Sequence, residues 1–180
     1  DQLAFNGGMT LDATATYNVS LAGTGAGTDH DQVDVVGTVD LASATLNVTL
    51  DHAPSVNDAF VIIDNDDAEA VTGTFAGLPD GAALSLSFGG TEYLFTIEYD
   101  TEDGTTAGNN VVLINQGTGE TSVEIDGSGN LVITDIAADS ADDLTIIDDG
   151  THYVISDSAL VLTTAIAGAI RPSAQSVRVD

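Results

Sequence analysis

An all-β fold is predicted for this chain by three observations. Apolar and polar residues alternate over short runs, as in half-buried strands. Clusters of Gly, Asp and Asn separate those runs. The first fifty residues also repeat themselves with a period near thirty. The stretch DQLAFNGGMTLDATATYNVSL (1–21) aligns with DQVDVVGTVDLASATLNVTL (31–50) after a one-residue gap. Such a period points to a parallel β-solenoid or β-helix, in which each repeat stacks on the last to bury its apolar face. The alternative is a pair of β-sandwich domains whose similar hairpins mimic a repeat.

The elements follow in order. In Tyr17–Leu21, the residues Tyr17, Val19 and Leu21 share one face, with Asn18 and Ser20 on the other. Leu46, Val48 and Leu50 restate that pattern. Further strands are expected at Ala59–Asp64, Ala70–Phe75, Ala83–Phe88, Tyr93–Tyr99 and Val111–Asn115. Asn65-Asp66-Asp67, Pro79-Asp80-Gly81 and Asp103-Gly104 are the turns between them. No segment has a 3.6-residue period. A Gly/Thr break at 116–121 divides a solenoid-like domain (1–115) from a second β-rich unit (122–180). Strands in the second unit are expected at Ser122–Ile125, Asn130–Ile136, Asp143–Ile147, Thr151–Ser156 and Leu160–Thr164. The pairs Asp126-Gly127 and Asp149-Gly150 are hairpin signals. The opening strand Ser122-Val123-Glu124-Ile125-Asp126 is echoed by Ser176-Val177-Arg178-Val179-Asp180.

Charge excludes several functions. The 180 residues include 29 acidic ones, no Lys and two Arg, Arg171 and Arg178, giving a formal net charge of -27. Such a polyanion does not neutralise nucleic-acid phosphates or dock on anionic lipid. High salt, bound cations or an extended surface must offset the repulsion. Hydrophobic residues make up 43%, which argues against an acidic disordered tail. Cys is absent, so disulfides and thiolate metal sites are too. No signal peptide stands at Asp1, so a mature or excised chain is expected. The longest apolar run, Ala159–Ile170, is too short to span a bilayer as a helix, and no membrane insertion is expected.

The run 11–50, followed by VTGTFAGLPDGAAL (71–84), resembles the β-strand repeats of autotransporter passenger domains. Similar segments occur in very large surface proteins of planctomycetes and related bacteria. SVEIDGSGNLVITDIAADSADDLTI (122–146) is similar to repeats of the same giant proteins. The resemblance implies a secreted, elongated, β-rich stalk with no catalytic residues to carry over. In that family the segment matching 103–113 often reads as a degenerate calcium repeat. Here Asn109 and Asn110 stand where an acidic ligand is expected, which weakens calcium at that place.

Candidate chemistry is sparse. Calcium takes hard oxygen ligands at close spacing, and Asp64, Asp66 and Asp67 form the densest loop cluster. Asp100 and Asp103, with Glu102 between them, form another, and Asp139, Asp142, Asp143, Asp148 and Asp149 continue the pattern. None has EF-hand spacing, and each also reads as a solvated acidic turn. Asn18 and Asn47 head glycosylation sequons at equivalent repeat positions; the plainer reading is a stack of outward polar residues. His30, His52 and His152 are widely separated and read as single surface histidines. Gly23, Gly25 and Gly27 imitate part of a dinucleotide fingerprint, but no helix pattern follows and a loop is expected. A polysaccharide-cleaving enzyme is disfavoured by nine aromatic residues without Trp and by the lack of cations in the body of the chain.

These readings converge on a non-catalytic extracellular or cell-surface structural protein. It would be a subunit or segment of a stalk, sheath, S-layer or filament, partnered by itself or by neighbouring repeats. The terminal strand, with Arg171, Val177, Arg178 and Val179, is the expected joining element by strand addition. A calcium- or carbohydrate-dependent adhesin is the alternative.

Overall fold

The computed structural model describes residues 1–180 apart from 66–68, 102–103, 105–106, 136–142, 149, 158–160, 165–169, 174–175 and 180. Among the described residues the chain is all-β, with several sheets and no helix. The first repeat supplies β1 (Gln2–Asn6), β2 (Met9–Thr10) and β3 (Thr16–Leu21). The second supplies β4 (Gln32–Val36), β5 (Val39–Asp40) and β6 (Thr45–Leu50). Each strand of the first pairs in parallel with its counterpart in the second. Gln2 lies beside Gln32 and Met9 beside Val39, both thirty residues on. Thr16 lies beside Thr45, one residue closer. The change falls between β2 and β3, where the sequence alignment has its gap.

The corners explain the glycines. Gly8 has φ +86° and Gly37 φ +117°, a region open to residues without Cβ. A Cβ on Gly37 would lie 2.9 Å from the Gly8 nitrogen, and one on Gly8 2.8 Å from the Thr38 carbonyl oxygen. Backbone therefore stacks on backbone where the two repeats turn.

A third layer is begun and not completed. β7 (Ala59–Asn65) pairs in parallel with β4, with Val33 beside Ile63 and Asp34 beside Asp64. The expected strand at Ala70–Phe75 is reduced to two isolated bridges, Thr72 with Asp40 and Phe75 with Leu78, although Val71 and Phe75 are buried. After that the chain reverses. β8 (Ala83–Phe88), β9 (Thr91–Thr101) and β10 (Ala107–Thr118) form an antiparallel meander that pairs back onto β7. One sheet thus runs β1-β4-β7-β10-β9-β8, with two parallel pairings followed by three antiparallel ones. Its core is continuous, from Val33, Val35 and Leu21 through Phe60 to Phe95, Ile97 and Leu113.

The second unit is antiparallel for the most part. β11 (Thr121–Ile125) and β12 (Leu131–Asp135) form a hairpin, and β15 (Leu162–Thr164) adds to β11 in parallel. A second sheet takes the order β13 (Thr145–Asp148), β14 (Tyr153–Ser156), β17 (Ser176–Val179), β16 (Ile170–Ser173). Val123, Ile155, Leu162, Val177 and Val179 form one small core between the sheets. At the expected linker, 116–118 extend β10 and Thr121 opens β11, leaving Gly119 and Glu120 between strands. The units touch: Leu94 packs on Val161, and the Glu120 N–H donates to the Val161 carbonyl at 2.9 Å.

Candidate functional site

The first two repeats meet through ladders of like residues. Asn47 Nδ2 donates to Asn18 Oδ1 at 2.9 Å on the exposed face. Gln2 Nε2 donates to Gln32 Oε1 at 3.3 Å and to Asp34 Oδ2 at 2.7 Å, and Gln32 Nε2 donates on to the Val61 carbonyl at 3.2 Å. Ser20 Oγ donates to Asp51 at 2.8 Å. Amides suit this use because each carries both donor and acceptor and can link layer to layer. Asn18 and Asn47 therefore sit as a stacked outward pair. The Asn47 nitrogen that a glycan would occupy is the ladder's donor.

Asp31 ties the second repeat to the first. Its Oδ1 accepts from the Asp1 ammonium at 2.7 Å, and its Oδ2 from the Ser20 N–H at 3.0 Å. Those two bonds hold its carboxyl below the usual range. Two tyrosines tie the layers inside. Tyr17 stacks on Phe75 at 5.7 Å and donates to the Ile62 carbonyl at 2.7 Å; burial pushes its phenol up. The Tyr99 hydroxyl accepts from the Phe75 N–H and donates to the Leu78 carbonyl. Burial pushes Tyr99 up to about 12. Neither phenol is placed for acid–base work.

Of the leading calcium candidates, Asp64 and Asp100 lie among the described residues. Asp64 stands beside Asp34 in register. Asp100 is committed to structure, its Oδ1 accepting the Val71 N–H at 2.7 Å. Asp66, Asp67 and Asp103 lie outside the described residues, as do Glu102, Asp139, Asp142 and Asp149. Among the described residues no group of three His, Cys, Asp or Glu side chains is placed to hold a metal ion. Asn110, which stands where the resemblance expects an acidic ligand, accepts the Asn65 N–H through Oδ1 at 2.8 Å in the buried interior.

The histidines correct the surface reading. His30 is buried and His52 half-buried. Both meet the edge of Phe60, with ring centroids 5.5 and 5.7 Å away. His30 Nδ1 faces the Gly23 carbonyl and Nε2 the Val61 carbonyl, each at 3.2 Å. The loop holding Gly23, Gly25 and Gly27 is a turn in which the Gly25 carbonyl accepts the N–H groups of Thr28, Asp29 and His30. It has no helix to bind a phosphate.

The expected joining strand lies inside its own sheet. β17 is paired on both edges, with β14 and with β16, and Val177 and Val179 are buried in their own core. A strand in that position has no free edge to offer. Arg171 lies in β16 and Arg178 in β17. Among the described residues β1 is an edge strand exposed along its whole length, as β13 is. Sequence reading missed it because an edge strand carries the same alternation as an interior one. Comparison with protein-family models, with curated proteins and with solved structures finds no match.

Proposed function

We propose that the chain is a non-catalytic structural protein of the extracellular space or cell surface. It would serve as a subunit or segment of a stalk, sheath, S-layer or filament, with a solenoid-like N-terminal part lengthened by stacking repeats. The observation that carries this reading is the residue-for-residue parallel pairing of 1–21 on 31–50. In such a stack each added repeat satisfies the backbone groups of the last and leaves an equivalent edge behind it. Length can grow without a new design, which is what a stalk or filament requires. The polar atoms that line up between layers are spent on holding the stack. The high negative charge suits a body whose carboxylates sit on turns and outward faces, spread along its surface.

Calcium- or carbohydrate-dependent adhesion draws no specific support from the described residues. Electron microscopy of native material tests the structural reading. Filaments, sheets or stalks that label with antibody to this chain are expected; label confined to dispersed single particles sinks it.

A further inference from the structure

His30 is joined to its surroundings in a way that one protonation state alone satisfies. The ring is 3% exposed. Its Nδ1 lies 3.2 Å from the Gly23 carbonyl oxygen, and its Nε2 lies 3.2 Å from the Val61 carbonyl oxygen. A neutral imidazole carries one N–H and one bare lone pair. Whichever nitrogen holds the hydrogen, the other sets a lone pair against a carbonyl oxygen in the interior. Unmet polar atoms in such a place are costly. The imidazolium donates at both nitrogens, and each bond is charge-assisted. The Val61 carbonyl has room for it. That oxygen already accepts Gln32 Nε2 at 3.2 Å, and a carbonyl has two lone pairs.

The two carbonyls belong to different layers. Gly23 follows β3 of the first repeat, His30 stands just before β4 of the second, and Val61 is in β7 of the third layer. The ring therefore pins all three. It also closes the 22–30 turn, because the His30 backbone bridges to Leu21 and Ala26 and its N–H donates to the Gly25 carbonyl. The charged groups on the elements around it are acidic. The Asp31 carboxylate, next in the chain, is within electrostatic reach of the ring. Asp29 holds its carboxyl beside Gly25 in the turn. Asp51, past the end of β6, accepts from Ser20 Oγ. Asp58, before β7, accepts the Ser55 N–H, and Asp64 in β7 lies beside Asp34. With a net charge of -27 over the chain, the field favours a cation at this place while burial opposes one. His52, the other titratable group here, supplies the contrast. It meets Phe60 as His30 does. Its Nδ1 lies 3.0 Å from the Leu21 carbonyl oxygen, whereas its Nε2 is buried with no partner among the described residues. A neutral ring with hydrogen on Nδ1 suits that site, and a second proton would strand a buried N–H.

We propose that His30 is a proton-operated latch: doubly protonated, it pins the 22–30 turn to β7 and locks the layers, and on losing a proton it lets the turn loosen. The folded chain then keeps a proton that the unfolded chain gives up above about pH 6.5, the ordinary histidine value. The latch stabilises fully below that value and fades as pH rises. It operates whether or not the chain builds filaments.

The test is urea unfolding of the whole chain across neutral pH, in about 0.5 M salt to screen the general charge repulsion. The folding constant of the first unit is expected to fall about tenfold as pH rises from about 6.5 to about 8. His30→Gln is neutral at every pH and should flatten that response, whereas His52→Gln should keep it. A wild-type curve without the fall overturns the proposal. So does a fall that survives His30→Gln or disappears in His52→Gln. Should His30→Gln not fold, nitrogen NMR of the wild-type rings decides. At about pH 7, above the ordinary histidine value, His30 is expected to carry hydrogen on both nitrogens and His52 on one. A neutral His30 tautomer refutes the latch. Amide exchange reads the movement itself. Ala22 and Asp31 donate their N–H groups to the Asp29 and Ser20 carbonyls at the two ends of the turn. Corrected for its intrinsic pH dependence, their exchange should quicken about tenfold over the same range. Unchanged exchange would mean a charged ring that latches nothing, and it too overturns the proposal.

Discussion

The two units use sequence echoes in opposite ways. In residues 1–50 the echo is a layer repeat: each residue lies beside its counterpart 29 or 30 positions on, in parallel. In the second unit Ser122–Asp126 and Ser176–Asp180 are also alike, yet β11 and β17 are in different sheets. Their valines, Val123, Val177 and Val179, share one small core. The first echo sets a period and the second sets two walls facing one another. Like residues recur in the first because parallel in-register pairing stacks each side chain on its counterpart. They recur in the second because both strands bury one face against the same apolar space.

If the difference is real, the units should melt separately, and core deletions should be felt on one side only. The largest effect is expected at Phe60. It is fully buried and touches His30, His52 and Phe95. Phe60→Ala should cost about 3–5 kcal/mol and lower the first-unit transition in calorimetry while leaving the second near its wild-type temperature. A single transition that moves as a whole would join the two units, with Leu94 and Val161 as the coupling contact.

Next comes the stack corner. Gly37→Ala forces a Cβ into left-handed backbone 2.9 Å from the Gly8 nitrogen. Strain and overpacking together should cost about 2–4 kcal/mol. Gly129→Ala provides the contrast, since a Cβ there meets nothing within 4 Å despite φ +84°. It should cost about 1 kcal/mol, from backbone strain alone. Chemical denaturation of the pair tests this; equal losses would show that the layers are not in close contact at the corner.

How much was legible follows from the same difference. The repeat at 1–50 was readable with its gap, and the strands at Ala59–Asp64 and Ala83–Phe88 were found almost to the residue. Local alternation and turn residues are sufficient for that. The reversal after the third layer was not readable, because pairing partners are a long-range matter and β7 reads alike beside β4 or β10. His30 was misjudged for a related reason: its partners, Gly23 and Val61, come together only when layers stack. The place of β17 inside its sheet was not readable either, because its alternation, with Val177 and Val179 on one face, is common to edge and interior strands. The buried amides of Asn110 and Asn115 had no sequence signal beyond their type.

A smaller effect is expected in the second core. Val177→Ala removes two methyl groups from a fully buried site. It should cost about 1.5–3 kcal/mol, confined to the second transition. Because β17 is paired on both edges, that variant should leave the oligomeric state unchanged. Altered assembly in a still-folded Val177→Ala protein would return the terminal strand to consideration as a joining element.

The smallest predicted effect separates the units by the sign of their pH response. Glu98 in β9 is held above the ordinary carboxyl range, first by burial and then by the neighbouring Asp80 carboxylate. A folded pKa above the unfolded one means stability that is full below the unfolded value, about 4.3, and lost as pH rises through the folded value. Glu98→Gln should therefore raise the first transition slightly at neutral pH and not in acid. Asp126 is the opposite case. Its carboxylate accepts from the Asn130 side chain and from the Ser128 and Asn130 N–H groups in the β11–β12 turn, which holds its pKa down. Stability from this turn is present above about 3.9 and is lost as pH falls through the lower folded value. Asp126→Asn should lower the second transition at neutral pH, with the difference closing in acid. Thermal melts of both variants from pH 2.5 to 7 test the pair. Parallel pH responses in the two transitions would mean that net charge, which acts on both units alike, outweighs these local bonds.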